Sequence, residues 1–387
     1  MRRGEPLVEV NAAGSLTLRA PVDGKIIGSS FACTGEHRTS GIELETLASP
    51  ALDDADAEDY LPQQSTAPPN LSIDDLGDKL AALGVWADRW ASPDLLAQLR
   101  GPHRKPIDTI ICNTLDEDPT VMLQANVAAD RAADIAAAVS ALAAATSAKK
   151  ALIAVAYYAP PATWENLRTA CGQSDTRLVP IINEYPQSHP TLIIHELTRR
   201  HLRPGQLPSE QGVLLLDAAA AAAVGAALRR DEPMLLEPLA VHDYLRKQTH
   251  FFWAPIGTAV GDVLEQIQAP PGDVELRAGC PLREIRLDRR CIIGGAELTI
   301  AIVPTEAAVN PEPCIRCAWC VEGCPVNIRP AGLLDAAQQE DLFLASQCGL
   351  EACIECGICS YVCPSNLPLL PGIRALRNLQ AGSRRSR

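Results

Sequence analysis

Aromatic residues are scarce in this chain. Four Phe, five Trp and six Tyr make up 4% of its 387 residues, and methionine occurs three times. The 47% of hydrophobic residues is ample for buried cores, but alanine has to do much of the filling. Positive charge is short as well: 34 Lys and Arg stand against 47 Asp and Glu, a net charge of −13, which argues against a general nucleic-acid binder. No stretch approaches the roughly 20 uninterrupted apolar residues of a membrane span. The nearest candidates, residues 214–228 and 132–145, are broken by Asp217 or dominated by alanine, and both read as soluble helices. A G-x-S-x-G nucleophile elbow and a G-x4-G-K-[ST] phosphate loop are both missing. No secretory leader is read at the N-terminus, so the 14 cysteines are expected in the reducing cytosol.

What the chain does have is two cysteine runs near its C-terminus. Cys314, Cys317, Cys320 and Cys324 are followed by Pro325; Cys353, Cys356, Cys359 and Cys363 are followed by Pro364. Both runs are C-x2-C-x2-C-x3-C-P, the spacing of a ferredoxin with two cubane clusters, in which the fourth cysteine of each run serves the other cluster. The spacing therefore assigns Cys314, Cys317, Cys320 and Cys363 to one [4Fe–4S] cluster. Cys353, Cys356, Cys359 and Cys324 go to the other. Each proline ends its loop by fixing φ and removing a backbone donor. Zinc needs only four sulfurs and usually pairs two separate C-x2-C units, so eight cysteines in two matching runs exceed that need. Cys348 falls outside the spacing and reads as a spare thiol, with a substitute ligand as the lesser alternative. Residues 331–350, between the runs, are long enough for one or two helices, which predicts a small helical domain closed by its own metal sites. Trp319, inside the first loop, is expected to shield the first cluster from solvent.

Upstream, short strands are expected at residues 7–10, 16–18 and 25–27, with Asp23-Gly24 as a hairpin turn. Residues 51–72 are rich in Asp, Ala, Pro and Gln and read as a flexible linker. Residues 73–235 alternate helix and strand. Strands are expected at 107–112, 151–157, 177–182 and 212–216. Helices are expected at 76–83, 127–146, 163–169, 191–200 and 218–229. This alternation predicts a mostly parallel sheet covered on both faces, with ligands bound in the loops after Cys112, Tyr158, Ile182 and Leu216. Residues 236–303 suggest shorter strands at 251–253, 274–277, 291–293 and 297–303 around a helix at 258–267. His195, His201, His242 and His250 lack the three- or four-residue spacing of a helical metal pair and read as satisfied or surface side chains. Cys112 reads as buried rather than reactive. Arg374, Arg377, Arg384, Arg385 and Arg387 form a basic tail, either a solvated terminus or a contact with anionic lipid or an acidic partner.

The cluster runs, together with Glu184-Tyr185-Pro186-Gln187, Leu207-Pro208-Ser209-Glu210-Gln211-Gly212, Ile256-Gly257-Thr258 and Ala20-Pro21-Val22-Asp23-Gly24, resemble the RnfC family of the Rnf ion-translocating electron-transport complexes. The resemblance spans essentially the whole chain. It implies an α/β multidomain protein: a barrel-sandwich (biotinyl/lipoyl-like) β domain at 1–50, a linker at 51–72, a Rossmann-like flavoprotein core at 73–235, an SLBB β-grasp domain at 236–303, and a helical dicluster ferredoxin domain at 304–387. It also implies FMN and NADH as cofactors, with Gly84, Asn113, Asp116, Glu117 and Asp118 as what remains of the flavin site. The loop departs from the family pattern. Where several glycines are expected, residues 83–90 keep only Gly84. Glycines let backbone N–H groups approach a phosphate closely. Trp86 opposes that approach sterically and Asp88 electrostatically, while Arg89 offers a compensating charge. In this the loop is similar to the A subunit of the sodium-pumping NADH:quinone reductase.

Three functions are implied. The first is an electron relay between a soluble donor, such as ferredoxin or another redox protein, and the membrane subunits of an Rnf-type complex, with the chain cytoplasmic and peripheral on the membrane. The second is local oxidation of NADH through FMN. The third is a soluble flavoprotein similar to cobalamin reductases.

Overall fold

The computed structural model describes residues 1–11, 15–34, 37–46, 53–54, 71–101, 105–172, 174–269, 274–294, 298–305 and 310–385. They fall into two compact units. The first comprises Met1–Leu202, Leu207–Gly279 and Ile285–Pro304; the second comprises Arg203–Gln206, Cys280–Glu284 and Thr305–Arg387.

The first unit opens with two hairpins. Strands β1 (Pro6–Asn11) and β2 (Ser15–Arg19) pair antiparallel, as do β3 (Gly24–Thr34) and β4 (His37–Thr46). The expected Asp23-Gly24 hairpin is corrected: β2 and β3 lie in different sheets. The turn instead ties back to the start of the chain, with Arg3 N donating to Asp23 Oδ1 at 2.6 Å and Gly24 N to Met1 O at 3.1 Å. Of the expected linker, residues 53–54 form β5 (Asp53–Asp54). Residues 71–72 are also described, and the rest of that segment lies outside the described residues.

Helix α1 (Ile73–Ala82) starts where Ser72 accepts from Asp75 N, with Asp74 and Asp75 favoured by the positive end of the helix dipole. Its apolar residues Leu76, Leu80 and Ala81 are buried. After α2 (Leu95–Arg100) the chain builds β6 (Thr109–Asn113), α3 (Leu123–Asp130), α4 (Ala132–Thr146), β7 (Lys150–Ala156), α5 (Pro161–Cys171), β8 (Thr176–Ile181), α6 (Pro190–Thr198), β9 (Val213–Asp217) and α7 (Ala218–Arg230). The strands form a parallel sheet in the order β8-β7-β6-β9. Every residue of β6 and β9 is buried, as expected of strands covered on both faces. Alanines 132, 136, 138 and 141 of α4 and 218–222 of α7 fill this core, which is how it does without aromatics. The single helix expected over 127–146 is broken at Arg131, whose guanidinium lies 4.8 Å from the centre of the Trp253 ring, a cation–π contact.

Strands β10 (Leu236–Asp243) and β11 (Gln248–Pro255), helix α8 (Val260–Gln266), and strands β12 (Val274–Ala278), β13 (Arg286–Leu287) and β14 (Thr299–Pro304) complete the unit. The sheet order is β13-β12-β14-β10-β11-β5, with β10 and β14 parallel and the other pairs antiparallel. Val241, Phe252, Val263, Leu264, Ile300 and Ile302 form its core. Burying one such side chain contributes about 1.5–3 kcal/mol. The sequence reading missed β10, and residues 291–293 form no named strand: Ile292 makes only an isolated bridge to Ala259.

The second unit holds helices α9 (Trp319–Glu322), α10 (Pro330–Gln338), α11 (Leu342–Cys348), α12 (Ile358–Tyr361) and α13 (Leu369–Arg385). Leu369, Leu370, Ile373 and Leu376 of α13 make a buried stripe against Leu333 and Leu334 of α10. Of the one or two helices expected between the cysteine runs, both are present, as α10 and α11. No helix among the described residues is long and apolar enough to cross a membrane.

Candidate functional site

Each cysteine run is shaped by two backbone reversals. Arg316 (φ 58°) and Ala318 (φ 67°) are left-handed in the first run; Glu355 (φ 54°) and Gly357 (φ 78°) hold the same positions in the second. Left-handed backbone is unfavourable for residues other than glycine, and such strain concentrates at functional sites. At Gly357 the requirement is also steric, since a Cβ there would collide with the Leu282 carbonyl. The repeat continues through the four-residue helices α9 and α12, then through Asn327 (φ 53°) and Asn366 (φ 50°) after each Cys-Pro.

Cys314, Cys317, Cys320 and Cys363 together line a cavity of about 230 Å³ whose walls include Ile315, Val321 and Leu367. The second set gathers likewise: Cys353, Cys356 and Cys359 each feel the charge of Cys324. Each set thus takes three cysteines from one run and one from the other. Among the described residues no three metal-ligating side chains stand close enough to share one ion. Zinc would hold four sulfurs roughly 3.8 Å apart, given its ~2.3 Å bonds. Sulfurs set around a void suit a larger group, and thiolate-only donors are what iron–sulfur cubanes take. Burial also disfavours the charged form of the more enclosed thiols. Burial pushes Cys356 up to about 11 and Cys359 up to about 12. A bound cationic cluster core is what would hold such sulfurs as thiolates. The residues fit two [4Fe–4S] clusters.

Two other expectations for this unit are corrected. Trp319 is 54% exposed and does not line the cavity, so it shields nothing there. Arg374 and Arg377 are neither a solvated tail nor a free basic patch: both pair with Glu355. Cys348, outside the spacing, is buried in the apolar core of the unit.

In the first unit, Asn113 Nδ2 donates to Ser188 O (2.8 Å) and its Oδ1 accepts from Leu115 N (3.1 Å). Asp118 accepts from Thr120 N, Thr120 Oγ1 and the Tyr244 hydroxyl. Glu117 is half-buried beside them. Gly84 faces the N-terminal hairpin: with φ 70°, its Cβ position lies 2.8 Å from Thr17 O. Arg89 is bound inward, Nη1 to Asp217 Oδ2 at 3.0 Å and Nη2 to Glu237 Oε1 at 2.8 Å, with all three residues buried. The sequence could not pair Arg89 with carboxylates 128 and 148 residues away. Trp90 stacks on Tyr185 at 6.1 Å, and His189 meets it edge-on at 4.7 Å.

A flavin phosphate on such a sheet would look for a helix N-terminus beyond the strand ends. All four are taken. Asp116 Oδ1 accepts from Gln124 N at 2.7 Å on α3. Pro160 and Pro161 leave the start of α5 without two donors, and α6 begins at Pro190 with Thr191 N donating to His189 Nδ1. On α7, Ala220 N donates to Asp217 Oδ1 and Ala219 N to Gln124 Oε1. Burial pushes the Asp116 carboxyl up to about 7. Arg89 Nε, Asn183 Oδ1 and Ser188 Oγ are buried there without a hydrogen-bond partner, but they make no phosphate cradle. The described residues do not fit a flavin phosphate. Cys112 is fully buried, and burial raises its thiol, as the sequence implied. The histidine spacing was less informative: His195 and His201 stack with ring centres 4.4 Å apart, and His242 Nδ1 lies 2.7 Å from Thr249 Oγ1.

Comparison with known proteins bears on both units. Residues 95–226 match the model of the Nuo51 FMN-binding domain, beginning past the glycine-poor loop, and residues 313–368 match a 4Fe-4S dicluster domain. The chain is 25% identical over 380 residues to the C subunit of the ion-translocating oxidoreductase complex of Rhodobacter capsulatus, covering 95% of this chain and 71% of that one. It is 27% identical over 379 residues to the protein of the same name from Pasteurella multocida, covering 96% and 45%. The corresponding values for Haemophilus influenzae are 25% over 384 residues, 96% and 57%. The chain therefore spans about half the length of the last two relatives. A solved NAD+-reducing [NiFe]-hydrogenase in the air-oxidized state aligns over 64% of this chain and 50% of that one, at 14% identity and a TM-score of 0.48. Similarity over nearly all of this chain and the two domain matches agree with the resemblance first drawn from the cysteine runs: the chain is a homologue of proteins named as the C subunit of the ion-translocating oxidoreductase complex, RnfC.

Proposed function

We propose that this chain is an electron-relay subunit. Single electrons pass through it between a soluble redox protein, ferredoxin or an NADH-linked one, and the membrane subunits of an Rnf-type complex, on whose cytoplasmic side it sits as a peripheral component. The observation that carries this reading is the gathering of eight cysteines into two sets of four, each drawn from both runs. Bound [4Fe–4S] clusters supply one-electron capacity. The chain's part is to fix eight sulfurs, to bury the second set more deeply than the first, and to leave Cys314 at the surface.

The finer domain division belongs to the same proposal. Residues 1–50 are read as a barrel-sandwich module, 51–72 as a linker, 73–235 as the flavoprotein-like core, 236–303 as an SLBB β-grasp domain and 304–387 as the cluster domain. The sheet order around the parallel pair β10 and β14, with α8 as the crossover, supports the β-grasp assignment.

A second reading, oxidation of NADH through FMN in this chain, is favoured by the FMN-binding-domain match. One experiment separates the two. The full chain is produced anaerobically, reconstituted with iron and sulfide, offered FMN, washed and extracted with acid. We expect both clusters and no stoichiometric flavin. Stoichiometric FMN, with bleaching of the iron–sulfur absorbance by NADH, would replace the relay reading by the second.

A further inference from the structure

We propose that Arg377 and Arg374 are positioning residues that raise the reduction potential of the second cluster selectively. The inference rests on the reading that the two cysteine sets hold [4Fe–4S] clusters. Both arginines reach from α13 into the Cys353–Cys356 loop. Arg377 Nη1 donates to Glu355 Oε1 at 2.5 Å, and its Nη2 donates to the carbonyl of Cys353, itself in the second set. Arg374 Nε donates to Glu355 Oε2 at 3.1 Å, and its Nη2 to Arg283 O at 2.7 Å. Two guanidiniums and one carboxylate leave a net charge of +1, with Arg374, Glu355 and Arg377 15%, 23% and 36% exposed. The equivalent position in the first run, between its first two cysteines, is Arg316, which is exposed. Both loops therefore carry one net positive charge, but in different surroundings: water and salt screen the first far more than the second.

The difference matters because of what reduction adds. No bond is made or broken; the cluster with its four thiolates gains one electron and one unit of negative charge. Burial of Cys356 and Cys359, each 8% exposed, disfavours that charge and drives the potential down. The partly buried guanidiniums oppose this, one of them through the carbonyl of a ligand residue. The pair thus offsets the effect of burial on the second cluster and leaves the first untouched.

The test is an EPR-monitored redox titration of the reconstituted full chain. In Arg377→Gln one of the two midpoints should move to more negative potential while the other stays. Arg377→Lys should restore most of the shift. Glu355→Gln should move the same midpoint the other way, and Arg316→Gln should give a smaller change in the other midpoint that fades at high salt. Unmoved midpoints, or both moving together, overturn the proposal. If Arg377→Gln loads no iron, Glu355→Gln decides: no positive shift there overturns it. Failure of the unmodified chain to take up two clusters would instead overturn the relay reading.

Discussion

The carboxyl end of the parallel sheet and the pair of cysteine loops make an instructive contrast. Both lie where their folds offer a site: one beyond strand ends next to four helix N-termini, the other inside loops bent by left-handed residues. At the sheet end the polar groups are largely turned on one another. Asp116, Asp217 and Gln124 cap the helices, and Arg89 is held by Asp217 and Glu237. In the loops the reverse holds: cysteines of the first set line a cavity, and in the second Cys356 and Cys359 are buried near other thiols. A fold can keep the shape of a binding scaffold while its own side chains take over the contacts a ligand would make. A metal-cluster site is less easily filled in this way, because the cluster core supplies positive charge to all of its thiolates at once.

The strongest way to break this contrast is at the cysteines. Cys363→Ala is expected to abolish the cluster associated with the first run, although Cys363 lies in the second, and to halve the iron content measured after anaerobic reconstitution. Loss of the other cluster instead would reverse the assignment of fourth ligands. Next in size is Arg89→Leu. Two buried carboxylates would lose their cation, and breaking such a group costs about 3–5 kcal/mol, read from the urea midpoint. A near-neutral result would mean that the sheet end is not internally closed.

Asp116→Asn gives a smaller, pH-dependent effect. The folded-state carboxyl titrates near 7, above its unfolded value of roughly 3.9. The stability it contributes is therefore fully present below about pH 4 and lost as pH rises through 7. The variant should be more stable than the parent at pH 8, on the order of 2 kcal/mol, and should lose that advantage toward pH 4. An advantage independent of pH would sink the explanation. Smallest is Trp319→Gly, expected to change neither the oxygen sensitivity nor the potential of the clusters, since the side chain stands in solvent.

How much was legible beforehand follows the range of the interactions. Cysteine spacing is a local pattern, and the dicluster domain was legible from it. The parallel sheet was equally legible, since strands β6 to β9 are short apolar runs between helices. Strand β10 was not: Glu237 and Pro238 argue against a strand, and Glu237 is tolerated only because Arg89, distant in sequence, meets it there. The contact of Arg131 with Trp253 and the pairing of Arg374 and Arg377 with Glu355 join residues far apart in sequence, which a reading of local pattern cannot supply. The loop 83–90 was read as departing from a phosphate-binding pattern; the inward pairing of its Arg89 with Asp217 and Glu237 was visible only in three dimensions.

The exchange of one cysteine between the two runs has a consequence for biogenesis. On the assignment that the spacing implies, the first set cannot close until Cys363 has been synthesised, and the second cannot close until Cys353, Cys356 and Cys359 have been. Iron delivery must therefore wait for the second run to leave the ribosome, even for the centre whose first three sulfurs come from the earlier one. On that assignment a chain stalled between the runs carries no complete centre.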